Sequence, residues 1–301
     1  MRIVISRTHR SVHERNHHVE ASTATNVLDD FSLEMTGKDV PGLQQAAHAI
    51  PQGTRVNITF LGNENLEMRL EAAKEVLELG FVPVPHISAR RLKSETELRE
   101  FLDALQQAGA SDRVFVVGGD PATPEGPYPD SLSVIRTGIL QEYGVAEVGI
   151  AGYPEGHPDI STQTLWEHMS AKSASLTEQG LGQVVLTQFA FDAEAVVAWV
   201  HEVRGHGVEA DIRIGTPGPA GIKRLLGYAR RFGVGTSAGI AKKYGFSLTN
   251  LLGTAGPDRF LTDLSSYESI TSATSGVKTH FYTFGGLAAT AEWVQDFTTQ
   301  A

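Results

Sequence analysis

The chain has 301 residues, is 41% hydrophobic and 20% charged, carries a formal net charge of −10 and contains no cysteine. Such a composition can bury a core, and the length suits one α/β barrel with its loops. The missing cysteines exclude disulfides, thiolate catalysis and sulfur-ligated zinc and fit a reducing compartment such as the cytoplasm, while the acidic balance, with no Lys/Arg-rich block, disfavours nucleic acid as a partner.

Residues 1–27 read as a polar N-terminal extension, with neither the apolar stretch of a secretory signal nor a clear apolar period. His9, His13 and His17 are four residues apart, with His18 beside them, so a helix would put the first three on one face. A metal-binding arm and a loose polar extension are the two readings. Arg7, Arg10 and Arg15 interleave the histidines and would repel a cation.

From residue 28 onward, short β-branched runs alternate with helix-like stretches. The strand candidates are Phe31–Met35, Arg55–Phe60, Phe81–His86, Arg113–Val117, Glu147–Ala151, Gln183–Thr187, Asp211–Ile214 and Thr279–Tyr282. Amphipathic stretches such as Asn65–Leu79, Glu95–Ala108 and Ala193–Arg204 lie between them. In the second, Leu98, Phe101, Leu102 and Leu105 make one apolar face. Eight strand–helix units predict a single (β/α)8 TIM barrel over residues 28–301. Leu225–Ser275 is too long for one helix and predicts two or three extra helices before the last strand. The chain ends just past the eighth helix, so no long regulatory extension is expected, and no apolar run is long enough for a membrane span.

The C-terminal ends of barrel strands form the active-site face. Here they carry Glu34, Thr59, His86, Gly118-Gly119-Asp120-Pro121, Gly152-Tyr153-Pro154-Glu155-Gly156-His157-Pro158, Thr187-Gln188 and Tyr282-Thr283-Phe284-Gly285-Gly286. Asp120 reads equally as a turn or cap residue and as a site residue, and His157 equally as a surface-loop residue. Gln188 is a long amide after an apolar strand and needs partners. Glu34 is the sharpest position, because an inward carboxylate in Phe31-Ser32-Leu33-Glu34-Met35 is costly unless paired or used.

This order of segments, with Tyr-Pro-Glu-Gly-His-Pro at 153–158, Thr-Gln-Phe-Ala-Phe-Asp at 187–192 and His-Phe-Tyr-Thr at 280–283, resembles the methylenetetrahydrofolate reductases over roughly residues 28–300. The resemblance implies a flavin-bearing barrel that passes hydride from NAD(P)H through FAD to methylenetetrahydrofolate, in one-carbon metabolism. It implies Glu34 as the general acid, Asp120 as the carboxylate beside flavin and pterin, and Gln188 and Tyr282 as substrate contacts. Thr59, His86, Gly119, Tyr128, Tyr153 and His157 fall at flavin-contacting positions. Homo-oligomerisation is possible.

The sequence also departs from the family. Gly118 replaces an arginine, and Ser175–Gln179 lacks the basic residues expected near the flavin phosphates, with Lys172 nearby but out of register. Ile222 stands where an aromatic stacks, and Phe284-Gly285-Gly286 replaces a segment containing Asn-Arg. Met35-Thr36-Gly37-Lys38 replaces an aromatic, proline-rich run. The rival readings are a folate- or flavin-binding barrel without this activity, a reductase that works without flavin, and an unrelated barrel enzyme. A Schiff-base aldolase needs a strand-end lysine, which no end supplies. A metal hydrolase would need His86, Asp120 and His157 to converge.

Overall fold

A computed structural model describes residues 27–232, 254–272 and 274–300. The histidine cluster of the N-terminal segment lies outside these residues. Eight parallel strands close into a barrel: β1 (Ser32–Met35), β2 (Arg55–Ile58), β3 (Val82–Ser88), β4 (Arg113–Val117), β5 (Glu147–Gly152), β6 (Gly182–Thr187), β7 (Asp211–Pro217) and β10 (Val277–Tyr282). A two-residue antiparallel pair, β8 (Ala220–Gly221) with β9 (Thr254–Ala255), stands apart from the barrel. The fold is the expected (β/α)8 TIM barrel. Three strand ends lie further on than the sequence pattern placed them, since β3 continues to Ser88, β5 to Gly152 and β7 to Pro217. The β3 and β7 extensions contain polar or proline residues that break an apolar run, and ladder pairing with β4 and β10 carries the strands through them.

The helices form for legible reasons. α1 (Val40–Ala46) has Pro41 in its first turn. α2 (Leu66–Glu78), α3 (Glu95–Gln107), α6 (Thr162–Glu178) and α7 (Ala193–Gly205) are capped by the side chains of Asn65, Ser94, Ser161 and Asp192, which accept from backbone N–H groups of the first turn. α4 (Ser131–Ile135) starts with a capping box from Asp130 and leads into α5 (Ile139–Glu142). α2 ends at Gly80, whose φ of +81° lets Gly80 N donate to Leu77 O and Phe81 N to Val76 O, closing the last turn before β3. Where described, the segment before β10 holds α8 (Ile222–Phe232), then β9, α9 (Asp258–Ser265) and α10 (Glu268–Thr271). α11 (Leu287–Gln300) follows the last strand.

Strand parity divides the side chains into two sets. Leu33, Met35, Val56, Ile58, Val114, Val116, Val148, Ile150, Ile212, Ile214 and Phe281 join the helices in the main core. Leu98, Phe101, Leu102 and Leu105 of α3 are all buried there, as their spacing requires. The opposite parity faces the axis. Its apolar members Val84, Phe115 and Leu186 form a separate cluster, while Arg55, Arg213 and Glu147 make a charged layer near the strand starts. Arg55 pairs with Glu147 at 2.5 Å, and the buried Arg213 pairs with Asp30 at 2.6 Å.

Closure rests on β1 pairing with β10, Ser32 opposite His280 and Leu33 opposite Phe281. Phe281 is fully buried, edge-on to both Phe31 and Trp293 at 5.8 Å. Phe281→Ala should destabilise the fold by roughly 3–5 kcal/mol, because it removes a large ring from a packed seam. Urea denaturation of the variant measures this, and a loss below about 1 kcal/mol would contradict the packing account.

Candidate active site

The site grows from the axis-facing residues at the strand ends. Glu34 on β1, His86 on β3, Phe115 and Val117 on β4, Ala151 on β5, Leu186 on β6 and Tyr282 on β10 line one cavity of about 730 Å³. Thr59, Tyr153, Gln188 and Phe189 reach it from the loops just beyond β2, β5 and β6. Of the residues singled out in the sequence, Glu34, Thr59, His86, Tyr153, Gln188 and Tyr282 are thus brought together.

Glu34 is the electrostatic centre. Its side chain is 18% exposed, and its Oε2 lies 3.7 Å from Nε2 of the fully buried His280. Burial pushes the carboxyl up to about 7, against a smaller opposing pull from His86. Loss of solvation penalises the charged form more than the neighbouring ring favours it. The two histidines move the other way for the same reason: burial pushes His86 down to about 4 and His280 down to about 3. Both are therefore neutral at pH 7. His280 Nδ1 is contacted by Ser32 Oγ at 2.9 Å and Asn57 Nδ2 at 3.4 Å. An amide N–H can only donate, so Nδ1 is the acceptor and the ring proton sits on Nε2, facing Glu34. This assignment follows from the hydrogen-bond network.

The rest of the wall is held from behind. Tyr282 Oη donates to Thr187 O at 2.9 Å, and Thr283 Oγ1 donates to Glu34 O at 2.6 Å. Gln188 Oε1 accepts from Phe189 N at 3.1 Å, which leaves its amide N–H groups for the cavity. Glu155 explains why two signature segments occur together. Its Oε1 accepts from Phe191 N at 2.8 Å and Asp192 N at 3.2 Å, so the loop after β5 fixes the loop after β6.

Four other singled-out residues lie off this wall. Asp120 is 70% exposed and accepts from Arg91 Nη2 at 2.6 Å. Gly119, with φ of +94°, backs against Ser88, whose Oγ would lie 2.1 Å from an added Cβ. Tyr128 is buried in the main core. His157 packs edge-on to Tyr153 at 5.2 Å and accepts from Asp159 N at 3.1 Å. Among the described residues no three His, Asp or Glu side chains gather as a metal site, so His86, Asp120 and His157 do not converge.

The structure adds residues that sequence reasoning missed. Arg90 donates to the carbonyls of Pro121, Ala122 and Pro129, clamping the loop after β4 onto the segment that follows β3. The fully buried ring nitrogen of His280 was visible only as part of a motif. Ile222 is buried, and α8 brings the aromatic ring of Tyr228, further along the helix, to the wall of the cavity. Tyr228 stacks on Phe284 with centroids 3.9 Å apart and planes 11° apart. A helical-wheel reading of Ile222, Leu225 and Tyr228 would have found it.

A second cavity of about 540 Å³ adjoins the first and shares Ala151 and Tyr153 with it. α6 and α7 supply its Trp166, Met169, Lys172 and Trp199. Lys172 is 7% exposed, and burial pushes its ammonium down to about 8. Lys172, read from the sequence as near the expected basic positions but out of register with them, lines this cavity.

A family model described as methylenetetrahydrofolate reductase matches residues 25–219. The chain is 25% identical over 177 residues to a 5,10-methylenetetrahydrofolate reductase of Pectobacterium carotovorum subsp. carotovorum, covering 58% of this chain and 57% of that protein. It is 29% identical over 142 residues to methylenetetrahydrofolate reductase 2 of Saccharomyces cerevisiae, covering 43% of this chain and 22% of that protein. Among solved structures, dihydropteroate synthase (FolP) from Thermus thermophilus aligns over 90% of this chain and 93% of its own, with a TM-score of 0.46 and 13% identity. The family model covers well over half of this chain, including the positions of Glu34, His86 and Gln188, and the chain belongs to the methylenetetrahydrofolate reductase family.

Proposed function

We propose that this protein reduces 5,10-methylenetetrahydrofolate to 5-methyltetrahydrofolate with NAD(P)H, using FAD as its resident cofactor. The observation that carries the reading is Glu34, a carboxyl group in a cavity of pterin size whose burial holds its proton near neutral pH. A carboxylic acid tuned in this way serves as a proton donor at pH 7.

The residues present fit FAD. His86 Nε2 is buried without a hydrogen-bond partner, and Lys172 forms no hydrogen bond or ion pair among the described residues. Two adjoining cavities offer an apolar floor in the first and a buried cation in the second. His86, Thr59 and Tyr153 would hold the flavin ring and Lys172 the pyrophosphate. When bound, FAD supplies hydride exchange between the reduced nicotinamide and the folate.

The chain's own groups handle the proton. Glu34 gives its proton to the nitrogen that leaves the methylene bridge, which opens the bridge to an electrophilic iminium. The carboxylate left behind faces His280 Nε2–H across 3.7 Å, a ring whose orientation Ser32 and Asn57 fix. Gln188 N–H groups and the ring of Tyr282 position the pterin, and the aromatic cluster of Phe189, Tyr228 and Phe284 excludes water. Asp120 acts near the flavin only if its tie to Arg91 opens. We place this activity in cytoplasmic one-carbon metabolism, supplying methyl groups for methionine synthesis, in agreement with the cysteine-free composition.

Glu34→Gln should lower folate reduction by about 10²–10⁴-fold while oxidation of NAD(P)H by the flavin continues. Anaerobic spectra test both halves: the flavin band should bleach with NADH and return with methylenetetrahydrofolate in the wild type, and only bleach in the variant. A colourless protein that still reduces the folate would overturn the role of FAD. In the wild type the folate step should fall as pH rises through about 7, because the donor loses its proton. Stability moves the same way. Below pH 4.5 Glu34 is protonated folded or unfolded. Between 4.5 and about 7 only the unfolded chain ionises, which favours unfolding. Thermal melts should therefore show the wild type losing ground to Glu34→Gln across that window. Lys172→Met should weaken FAD binding roughly tenfold or more, read by flavin fluorescence in an equilibrium titration.

A further inference from the structure

The turn that carries Gln188 is tied down at every step. Gln188 N donates to Gly152 O at 2.8 Å and Ala190 N to Gly215 O at 3.0 Å, which fastens its first half to β5 and β7. At its far end Asp192 caps α7, its Oδ1 accepting from Glu194 N at 3.2 Å and Ala195 N at 3.4 Å. Between these two anchors, Phe191 N and Asp192 N both donate to Glu155 Oε1, at 2.8 and 3.2 Å. Glu155 belongs to another loop and lines the second cavity, not the one that holds Glu34. Its own backbone is held for a local reason. Gly156 N donates to Tyr153 O at 3.0 Å across a tight turn, with Pro154 in the second place and φ of +81° at Gly156.

The Gln188 amide takes its direction from the same turn. Its Oε1 accepts from Phe189 N at 3.1 Å, so the way its N–H groups point follows the Phe189 peptide. Phe189 is buried, edge-on to Phe191 at 5.8 Å and to Tyr282 at 5.5 Å. A shift of the backbone at Phe191 is therefore passed to Phe189 and from its peptide to the amide. A carboxylate that accepts two N–H groups is a strong pin, because hydrogen bonds to an ionised acceptor are roughly twice as strong as neutral ones.

We propose that Glu155 is a positioning residue of the folate site: from the neighbouring cavity, and without touching the substrate, it aims the Gln188 amide at the pterin. This rests on the folate reading above and adds to it the residue that acts through Gln188.

The test is a double-mutant cycle read by calorimetric titration with 5-methyltetrahydrofolate at saturating FAD, which needs neither nicotinamide nor turnover. Glu155→Ala and Gln188→Ala should each weaken binding roughly five- to tenfold, the scale of one hydrogen bond. The double variant should bind no more weakly than Gln188→Ala, because the pin then has nothing to aim. Glu155→Gln, whose Oε1 can accept the same two N–H groups, should stay within about threefold of the wild type. Glu155→Asp keeps the charge, withdraws the acceptor by one methylene, and should behave as Glu155→Ala. A general loosening of the loops, or an effect exerted through the second cavity, would weaken the double variant by the product of the two single factors and would overturn the proposal. Glu155→Gln as weak as Glu155→Ala would overturn it too. So would wild-type affinity in Glu155→Ala, or in Glu155→Asp if the alanine variant does not fold. Each of these leaves the folate reading standing. Wild-type affinity in Gln188→Ala would overturn the proposal together with the substrate role of Gln188. A wild type that does not bind 5-methyltetrahydrofolate would overturn the folate reading as well.

Discussion

Closure of the barrel between its first and last strands sets Ser32 beside His280, and everything chemical in the molecule follows from that seam. Parity then turns Ser32, Glu34, His280 and Tyr282 toward the axis and Leu33, Met35 and Phe281 toward the helices. A carboxyl group that sits on the axis, with its side chain 18% exposed, loses most of its water. Its neighbours are histidines rather than a guanidinium, so the loss is offset only in small part, by His86, and the carboxyl is pushed up to about 7. The guanidinium groups inside the barrel lie at the other end, where Arg55 and Arg213 pair with Glu147 and Asp30. Separation of these two layers along the axis is what keeps Glu34 a donor rather than half of an ion pair.

The loops around the cavity are organised by polar side chains that never touch its contents. Arg90 gathers three carbonyls of the loop after β4, and Glu155 gathers two N–H groups of the loop after β6. Each satisfies backbone groups that helix or sheet would otherwise satisfy. Such contacts give irregular segments a defined shape and so give the cavity a fixed wall.

The barrel was legible because each strand–helix unit repeats the same two periods, and because caps such as Ser94 and Asp192 mark where helices begin. Strand ends were less legible at β3 and β7. His86 and Thr216 look like terminators in a run of apolar residues, yet ladder bonds to a neighbouring strand, which no local pattern reports, carry the strands past them. Glu34 was legible from the cost of an inward carboxylate alone. Lys172 was not, because its value depends on α6 and α7 packing around a cavity, and linear register says nothing about that. The same holds for Arg91, whose contact with Asp120 joins the ends of β3 and β4 across 29 positions of chain.

The seam also has a kinetic side. Ser32 and His280 are separated by 248 positions, so the first strand has its final neighbour on one side only after nearly the whole chain exists. At the usual pace of about 5–20 residues per second, the ribosome needs roughly 12–50 seconds to make what lies between them. During that interval β1 is an unpaired sheet edge, open to wrong partners. Until β10 is made, that edge presents its backbone N–H and C=O groups, with Ser32 and Glu34 on one face of the strand and Leu33 and Met35 on the other.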